Sequence, residues 1–139
     1  MSHFLAKTEP LVYSITDLQR DQQTTWDGVK NAQALQAIRA MKRGDTVLIY
    51  HSGGVSAIVG WAKVVSDARP DPKFPDDAKL TVADLAFGGL LYPPTTLADV
   101  KQSGMFPNFA LVRQSRLSTM AVTPDFLDWL RARYPKAKF

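Results

Sequence analysis

The chain has 139 residues, of which 45% are hydrophobic and 22% are charged, and these fractions are ordinary for a globular domain. They argue against a disordered chain, and no apolar run approaches the roughly 20 residues needed to span a bilayer. The absence of cysteine excludes a disulfide framework and a thiolate metal site. The first residues lack the pattern of an export signal, so a cytoplasmic location is the default expectation.

The net charge is +4 and the pI is about 9.5, which is in the range of nucleic-acid-binding domains. The charge is uneven along the chain. From Val100 onward there are seven Lys or Arg against two Asp, whereas residues 71–99 hold two Lys against five Asp. The C-terminal quarter is therefore the predicted polyanion-facing side, and the alternative is that the excess charge only aids solubility.

The first half of the chain predicts a strand, two helices and a second strand. Residues 3–10 read as a strand stopped by Pro10, and Ser14 is a good N-cap for the helix that follows. A second helix has apolar residues at helical spacing and a glycine stop at Gly44. Residues 46–52 alternate as a strand, with His51 on the same face as two aliphatic residues.

The second half predicts further strands, one loop and two helices. The strand-like runs are residues 55–67, 78–91 and 111–122, the last written as strand or extended chain. The proline-rich residues 70–77 predict a loop, residues 93–104 a short capped helix, and residues 123–136 a last helix capped by Thr123. The mixture indicates one α+β domain over residues 1–139, a small curved sheet or open barrel with helices around it.

Three tryptophans differ in their surroundings. Trp61 lies in an apolar strand and Trp129 has helical spacing with apolar neighbours, so both are predicted to be core residues. Trp26 lies among turn formers, which predicts an indole that its own element covers only in part. Another part of the fold or a flat ligand must then lie against it, and aromatic stacking of a nucleobase is worth about 1–3 kcal/mol.

Two other polar residues stand near predicted turns. Asn31 begins the second helix, where it could cap the helix or offer its amide to a base edge, and the two roles are compatible. His51 ends a strand ahead of Ser52 and two glycines. Such a histidine is more often a core residue than a catalyst, but this position fits the mouth of a pocket.

The stretch RQSRLS, residues 113–118, predicts an extended segment with Arg116 and Ser118 on one face. Guanidinium groups suit phosphate or carboxylate, although a solvated face is the alternative, more so for Arg113. Lys7, Thr8 and Glu9 are of types used in hydrolysis, but strand alternation separates Thr8 from the other two. No phosphate loop, nucleophile elbow or histidine pair is present.

Seven short motifs in one order resemble the EVE domain family, within the PUA-like superfamily. They are KTEP with YS, WDGVKN.QA, MKRGD, YHS, IVG.A.V, PDP and VRQSRLS, and they run from Phe4 to the last helix. The resemblance implies a PUA-like curved β-barrel of about five to six strands with surrounding helices. It also implies binding of modified bases in nucleic acid, cytosine derivatives among them, with no metal or cofactor.

Carried over to this chain, the resemblance implies a base pocket with Trp26 as a wall and Asn31 as a polar reader. The residues that would line or support it are Lys7, Thr8, His51, Ser52, Arg116 and Ser118. The expected partner is thus nucleic acid or a modified nucleoside, with no membrane and no metal. The alternatives are an amidohydrolase acting on acylated nucleosides through Lys7, Thr8 and Glu9, as in related ASCH-type domains, and a scaffold that binds a partner protein. The oligomeric state is left open.

Overall fold

Seven strands form one mixed sheet in the computed structural model, which describes all residues, Met1–Phe139. The strands are β1 His3–Thr8, β2 Gln23–Trp26, β3 Thr46–His51, β4 Ala57–Val64, β5 Arg69–Pro70, β6 Thr81–Thr96 and β7 Thr119–Ala121. Five helices flank them: α1 Ile15–Asp21, α2 Ala32–Arg39, α3 Leu97–Gln102, α4 Ala110–Arg113 and α5 Pro124–Arg133. The predicted α+β class is therefore correct.

The sheet is open, so the predicted barrel of five to six strands is not confirmed. The strand order is β2-β6-β4-β3-β1-β7, with β5 beside β6. Strands β1 and β3 are parallel, and the other pairs are antiparallel. The end strands β2 and β7 do not pair with each other, and helix α2 contacts both β6 and β7. A helix thus lies between the two ends of the sheet, where a closed barrel would need a ladder of hydrogen bonds.

Both faces of the sheet are buried, each against its own hydrophobic cluster. In β3, Leu48 and Tyr50 belong to the cluster that includes helix α5, whereas Val47 and Ile49 belong to the cluster that includes α1. Alternation along the strand therefore sends successive side chains into two cores. A strand covered on both faces carries a continuous apolar run, as β3 does.

The predicted starts of α1 and α5 are confirmed, whereas the helix predicted over residues 93–104 begins only at Leu97, because β6 runs to Thr96. The predicted ends are wrong for α2 and for α5, which stops at Arg133. Ser14 caps α1 in a capping box with Asp17, and Pro124 begins α5 after the N-cap Thr123. Helix α2 ends at Arg39, five residues before the predicted stop at Gly44. Met41 lies in the turn after the helix, and its side chain is buried in the core. The helical spacing of apolar residues therefore extends beyond the helix itself.

The sequence misses two strands and misplaces one segment. Strands β2 and β5 exist only as partners of the 16-residue β6, which supplies their hydrogen bonds from residues more than ten positions away. Residues 111–122 begin as helix α4 and a turn before β7, so the predicted extended form of RQSRLS is wrong. Local sequence propensity cannot predict a strand whose hydrogen bonds all come from a partner far away in the chain.

Candidate functional site

A cavity of about 420 Å³ opens where β1 and β2 end, beside the turn that leads into α2. Its size is within the range of small-molecule sites. Twelve residues line it: Lys7, Thr8, Val12, Tyr13, Thr24, Thr25, Trp26, Asp27, Gly28, Val29, Lys30 and Ser118. Four of the eight residues proposed from the sequence are among them, namely Lys7, Thr8, Trp26 and Ser118.

Trp26 is the last residue of β2 and is more deeply buried than the sequence predicts. Only 8% of the residue is exposed, because the ring packs in the cluster that holds Leu18 and Ile38. The sequence predicts that Trp61 and Trp129 are more deeply buried than Trp26. The structure shows the opposite, since Trp61 and Trp129 are only half-buried. What remains accessible of Trp26 faces the cavity, so the indole serves the core and the cavity wall together.

Tyr13 supplies a second aromatic wall that the sequence analysis did not identify. Its ring centroid lies 6.4 Å from that of Trp26, with the planes at 82°, an edge-to-face arrangement. Its hydroxyl donates to Asp21 Oδ2 at 2.9 Å. Burial raises the pKa of Tyr13, so the phenol stays protonated at neutral pH. The two rings form a corner in which a planar group could stack on one ring and meet the other with its edge.

Lys7 lines the cavity, but its ammonium group lies against Ser115 and Tyr50, neither of which is a lining residue. Its Nζ donates to Ser115 O at 3.1 Å and lies 5.4 Å from the centre of the Tyr50 ring. None of the five ion pairs in the molecule includes Lys7. Burial lowers the pKa of Lys7 below its ordinary value of 10.5, which is the expected effect of desolvation on an ammonium group.

Thr8 and Ser118 lie on either side of Lys7 and are fixed by the backbone. Thr8 Oγ1 donates to Tyr13 O at 2.7 Å, which leaves the hydroxyl oxygen able to accept. The backbone N–H of Lys7 donates to Ser118 O at 2.7 Å. Lys7 and Thr8 are therefore neighbours along β1 whose polar groups point to different sides of the strand, the ammonium toward Tyr50 and the hydroxyl toward Tyr13.

The turn after Trp26 forms the rim. Gly28 has φ of +78°, a conformation that favours glycine, and nothing lies within 4 Å of the position its Cβ would take. Asp27 pairs with Lys73 at 3.2 Å, which ties the loop before β6 to this rim. Lys30 is exposed and lines the cavity. The Asp-Gly pair in the sequence indicates this turn, but nothing local indicates its partner Lys73.

The other four residues proposed from the sequence do not line the cavity. Asn31 is exposed and its Oδ1 accepts from Ala34 N at 3.0 Å, so it is the N-cap of α2. His51 Nε2 accepts from Ile15 N at 3.0 Å, and burial lowers the pKa of His51. The imidazole is therefore a neutral acceptor that holds the start of α1.

Ser52 and Arg116 also fall outside. The backbone N–H of Ser52 donates to Thr8 O at 2.9 Å, so this residue supports the cavity from behind through β1. Arg116 is exposed in the turn after α4. Residues 113–118 are not an extended strand, so the predicted alternation of their side chains between two faces does not occur. The sequence thus predicts correctly that the end of β1 carries the cavity, but Asn31, His51, Ser52 and Arg116 do not reach it.

Glu9 and the C-terminal cations are also placed away from the cavity. Glu9 is exposed beyond the end of β1, and only Lys7 and Thr8 of the proposed hydrolytic trio line the space. None of the seven Lys or Arg after Val100 lines it. Arg131 Nε donates to Phe139 O at 2.9 Å, and Arg133 Nε donates to Thr95 Oγ1 at 3.0 Å. The cavity cations come instead from the N-terminal third.

The structure offers neither a metal-binding cluster nor a membrane-spanning helix. No group of three or more His, Cys, Asp or Glu side chains is arranged to hold a metal ion. None of the five helices combines the length and apolar character needed to cross a membrane.

Comparison with known proteins gives consistent relatives. Human thymocyte nuclear protein 1 is 32% identical over 162 residues, which cover 93% of this chain and 72% of that protein. The structure of Rpa0253 from Rhodopseudomonas palustris is 31% identical with a TM-score of 0.90, and the match covers 100% of this chain and 97% of that one. Human THYN1 in complex with DNA containing 5-methylcytosine is 29% identical with a TM-score of 0.89, and the match covers 99% and 100% of the two chains.

A more distant likeness concerns the fold alone. The ZmASCH protein of Zymomonas mobilis is 11% identical with a TM-score of 0.63, and the match covers 95% of this chain and 98% of that one. The EVE domain model matches residues 2–133, nearly the whole chain. Together with the relatives at about 30% identity, this match shows that the chain belongs to the EVE domain family.

Proposed function

We propose that this protein is a nucleic-acid-binding module that holds a modified cytosine in the cavity beside Trp26. The observation that carries the proposal is a pair of perpendicular aromatic rings, Tyr13 and Trp26, on the wall of a cavity of about 420 Å³ that Lys7 and Thr8 also line. Its family supports the proposal, because human THYN1 has been solved with DNA containing 5-methylcytosine.

The aromatic corner accounts for binding a flat ring. A base stacked on Tyr13 would present its edge to Trp26, because the two ring planes are at 82°. Stacking on an aromatic side chain contributes about 1–3 kcal/mol per base and tolerates every base. The rings therefore supply affinity, and discrimination has to come from the polar groups.

Lys7 and Thr8 offer two separate polar contacts to a nucleotide, because successive side chains of β1 lie on opposite faces of the strand. The Lys7 ammonium has three hydrogens and uses one on Ser115 O, so two remain for acceptors of the base. The Thr8 hydroxyl donates to Tyr13 O and can accept from an amino group. Cytosine offers an amino donor, which the Thr8 hydroxyl oxygen can accept, and the Lys7 ammonium remains available for a second acceptor of the nucleotide.

Preference for a methylated cytosine over its parent is expected to be modest if it comes from burial alone. One buried methyl group contributes about 0.8 kcal/mol, which is roughly a fourfold difference in affinity. Val12 and Val29 line the same cavity and offer apolar surface to such a group. Taking a base out of a duplex costs a few kcal/mol, so single strands are the stronger ligands for the isolated domain.

The experiment compares equilibrium binding of two labelled single-stranded oligonucleotides that differ in one 5-methylcytosine. The methylated strand is expected to bind about fourfold more tightly. Lys7→Gln is expected to weaken binding by roughly 10- to 150-fold, since a hydrogen bond to a charged group contributes about 1.5–3 kcal/mol.

The matched control is Lys101→Gln, which removes the same charge from an exposed position on α3. It is expected to have only the small effect of a general charge loss. If the two strands bind equally, or if both lysine variants weaken binding to the same extent, a specific base pocket at Lys7 is refuted.

The hydrolase alternative has less support from the geometry. Lys7 and Thr8 share the cavity, but Glu9 is exposed outside it, so the three groups do not face one substrate position. Incubation of the protein with acylated cytidine is expected to give no product that depends on Lys7. Turnover lost in Lys7→Gln would support the hydrolase instead.

A further inference from the structure

A second cavity, of about 440 Å³, lies beside the first, and the sequence analysis did not anticipate it. It is formed between α2 and the loop before β6. Eight residues line it: Lys30, Ala32, Leu35, Arg39, Phe74, Asp77, Lys79 and Leu80. Lys30 lines both cavities, so the two spaces are neighbours on one surface.

The second cavity is basic although its loop is acidic in sequence. Residues 71–80 carry three Asp against two Lys, yet the lining contains one Asp and three cations. The difference arises because α2 and the turn before it contribute Arg39 and Lys30. Arg39 Nη1 donates to Lys79 O and to Thr81 Oγ1, both at 3.2 Å, which leaves its other guanidinium nitrogens available.

Phe74 is an exposed aromatic ring on this cavity, with 54% of the residue accessible. Consecutive turns hold its loop: Phe74 N donates to Asp71 O at 3.1 Å, and Asp77 N donates to Phe74 O at 3.0 Å. The loop is closed at its base by Asp71 N donating to Leu80 O at 2.9 Å. A large apolar ring is therefore presented to solvent from an ordered loop.

The same loop is tied to the rim of the first cavity. Lys73, next to Phe74, pairs with Asp27 at 3.2 Å, and Asp27 lines the first cavity. The path from the Trp26 cavity to Phe74 thus passes Lys30 and Lys73. Cations along a path with an aromatic ring at its end are the features by which proteins hold single-stranded nucleic acid.

We propose that the second cavity binds the nucleotide next to the recognised base in a single strand, with its base on Phe74 and its phosphates on Lys30, Arg39 and Lys79. This inference rests on the proposed function, because it places the strand relative to the Trp26 cavity. The proposed occupant is nucleic acid, because the lining has three cationic residues and only one carboxylate, an excess of positive charge.

The test uses an eight-nucleotide single strand of thymidines with one central 5-methylcytosine, and free 5-methyl-2′-deoxycytidine, as probes for the full chain. Phe74→Ala is expected to weaken binding of the oligonucleotide by roughly 5- to 150-fold, the effect of losing one stacked base. It leaves binding of the free nucleoside unchanged, since a nucleoside has no neighbour to stack. Tyr92→Ala is the matched control, because Tyr92 is 87% exposed and lines neither cavity.

A second measurement identifies the phosphate contacts. Lys79→Gln is expected to lower the slope of log K against log salt by about 0.7, the value for one phosphate contact with a single strand. A slope equal to that of the wild type contradicts the assigned contact.

The outcomes separate this inference from the proposed function. Equal oligonucleotide binding by Phe74→Ala and Tyr92→Ala overturns the second site, and the base pocket stands if Lys7→Gln still loses the nucleoside. Loss of oligonucleotide binding in Phe74→Ala, with no effect of Lys7→Gln on either probe, overturns the base pocket and leaves the stacking site in place. Failure of the wild type to bind either probe overturns both.

Discussion

Replacement of Trp26 by alanine is expected to lower the free energy of unfolding by about 3–5 kcal/mol. The ring is 8% exposed and packs in the cluster around Leu18 and Ile38. A buried indole removes about 150–250 Å² from water, and at roughly 25 cal/mol/Å² this gives a loss of the same size. Since domains of this kind are stable by about 5–15 kcal/mol, the variant is expected to fold with a much reduced margin.

The assay is urea denaturation followed by circular dichroism. With m of about 1–3 kcal/mol/M, the midpoint is expected to fall by at least about 1 M while m stays constant. Trp61→Ala is the control, because that ring is only half-buried, and it is expected to be less destabilising. A cost below about 1 kcal/mol for Trp26→Ala, or a larger cost for Trp61→Ala, would refute the assignment of Trp26 to the core.

Three further predictions concern residues at or near the site. Asn31→Ala is expected to lose about 1 kcal/mol of stability, measured by urea denaturation, because it removes the α2 cap, whereas Asn31→Ser retains it; a change in ligand affinity in Asn31→Ser would contradict the capping role. His51 has a pKa below its ordinary 6.5, so its stabilisation is present above that pH and is lost as pH falls through the folded pKa. His51→Gln is expected to reduce the fall in melting temperature between about pH 7 and 5, and an unchanged pH profile would contradict this. The pKa of His3 is lowered too, so His3→Gln measures how much of the fall comes from that residue instead. Gly88→Ala places a Cβ 2.3 Å from the Trp61 ring and is expected to cost about 1–3 kcal/mol, a cost that a Trp61→Ala background relieves in a double-mutant cycle; additive effects would contradict the contact.

The elements set by local chemistry could be predicted from the sequence. Ser14 and Pro124 begin helices because capping and the fixed φ of proline act within one turn. Strands β1, β3 and β4 follow from continuous apolar runs. The sequence pattern allowed a curved sheet or an open barrel, and the choice between them could not be predicted, because it depends on how α2 packs against β6 and β7.

The site was predictable only where the chain brings residues together locally. Lys7 and Thr8 are adjacent at a strand end, and Trp26 precedes a turn that the Asp-Gly pair indicates. Tyr13 was missed because its position against Trp26 depends on how α1 packs. Phe74 was missed because a proline-rich loop gives no sign of which surface it will face. His51 was misassigned because its partner, the Ile15 N–H, lies 36 residues away in sequence.

The most direct test of the proposed pocket is a two-dimensional NMR titration of the indole N–H signals with a single strand containing 5-methylcytosine. The protein has three tryptophans, so three signals are expected, and each can be assigned by replacement with phenylalanine. The signal of Trp26 is expected to shift on titration, whereas that of Trp129, which lines none of the cavities described, stays in place. A titration that leaves the Trp26 signal unmoved while the strand binds would contradict the proposal that its ring forms the wall of a base pocket.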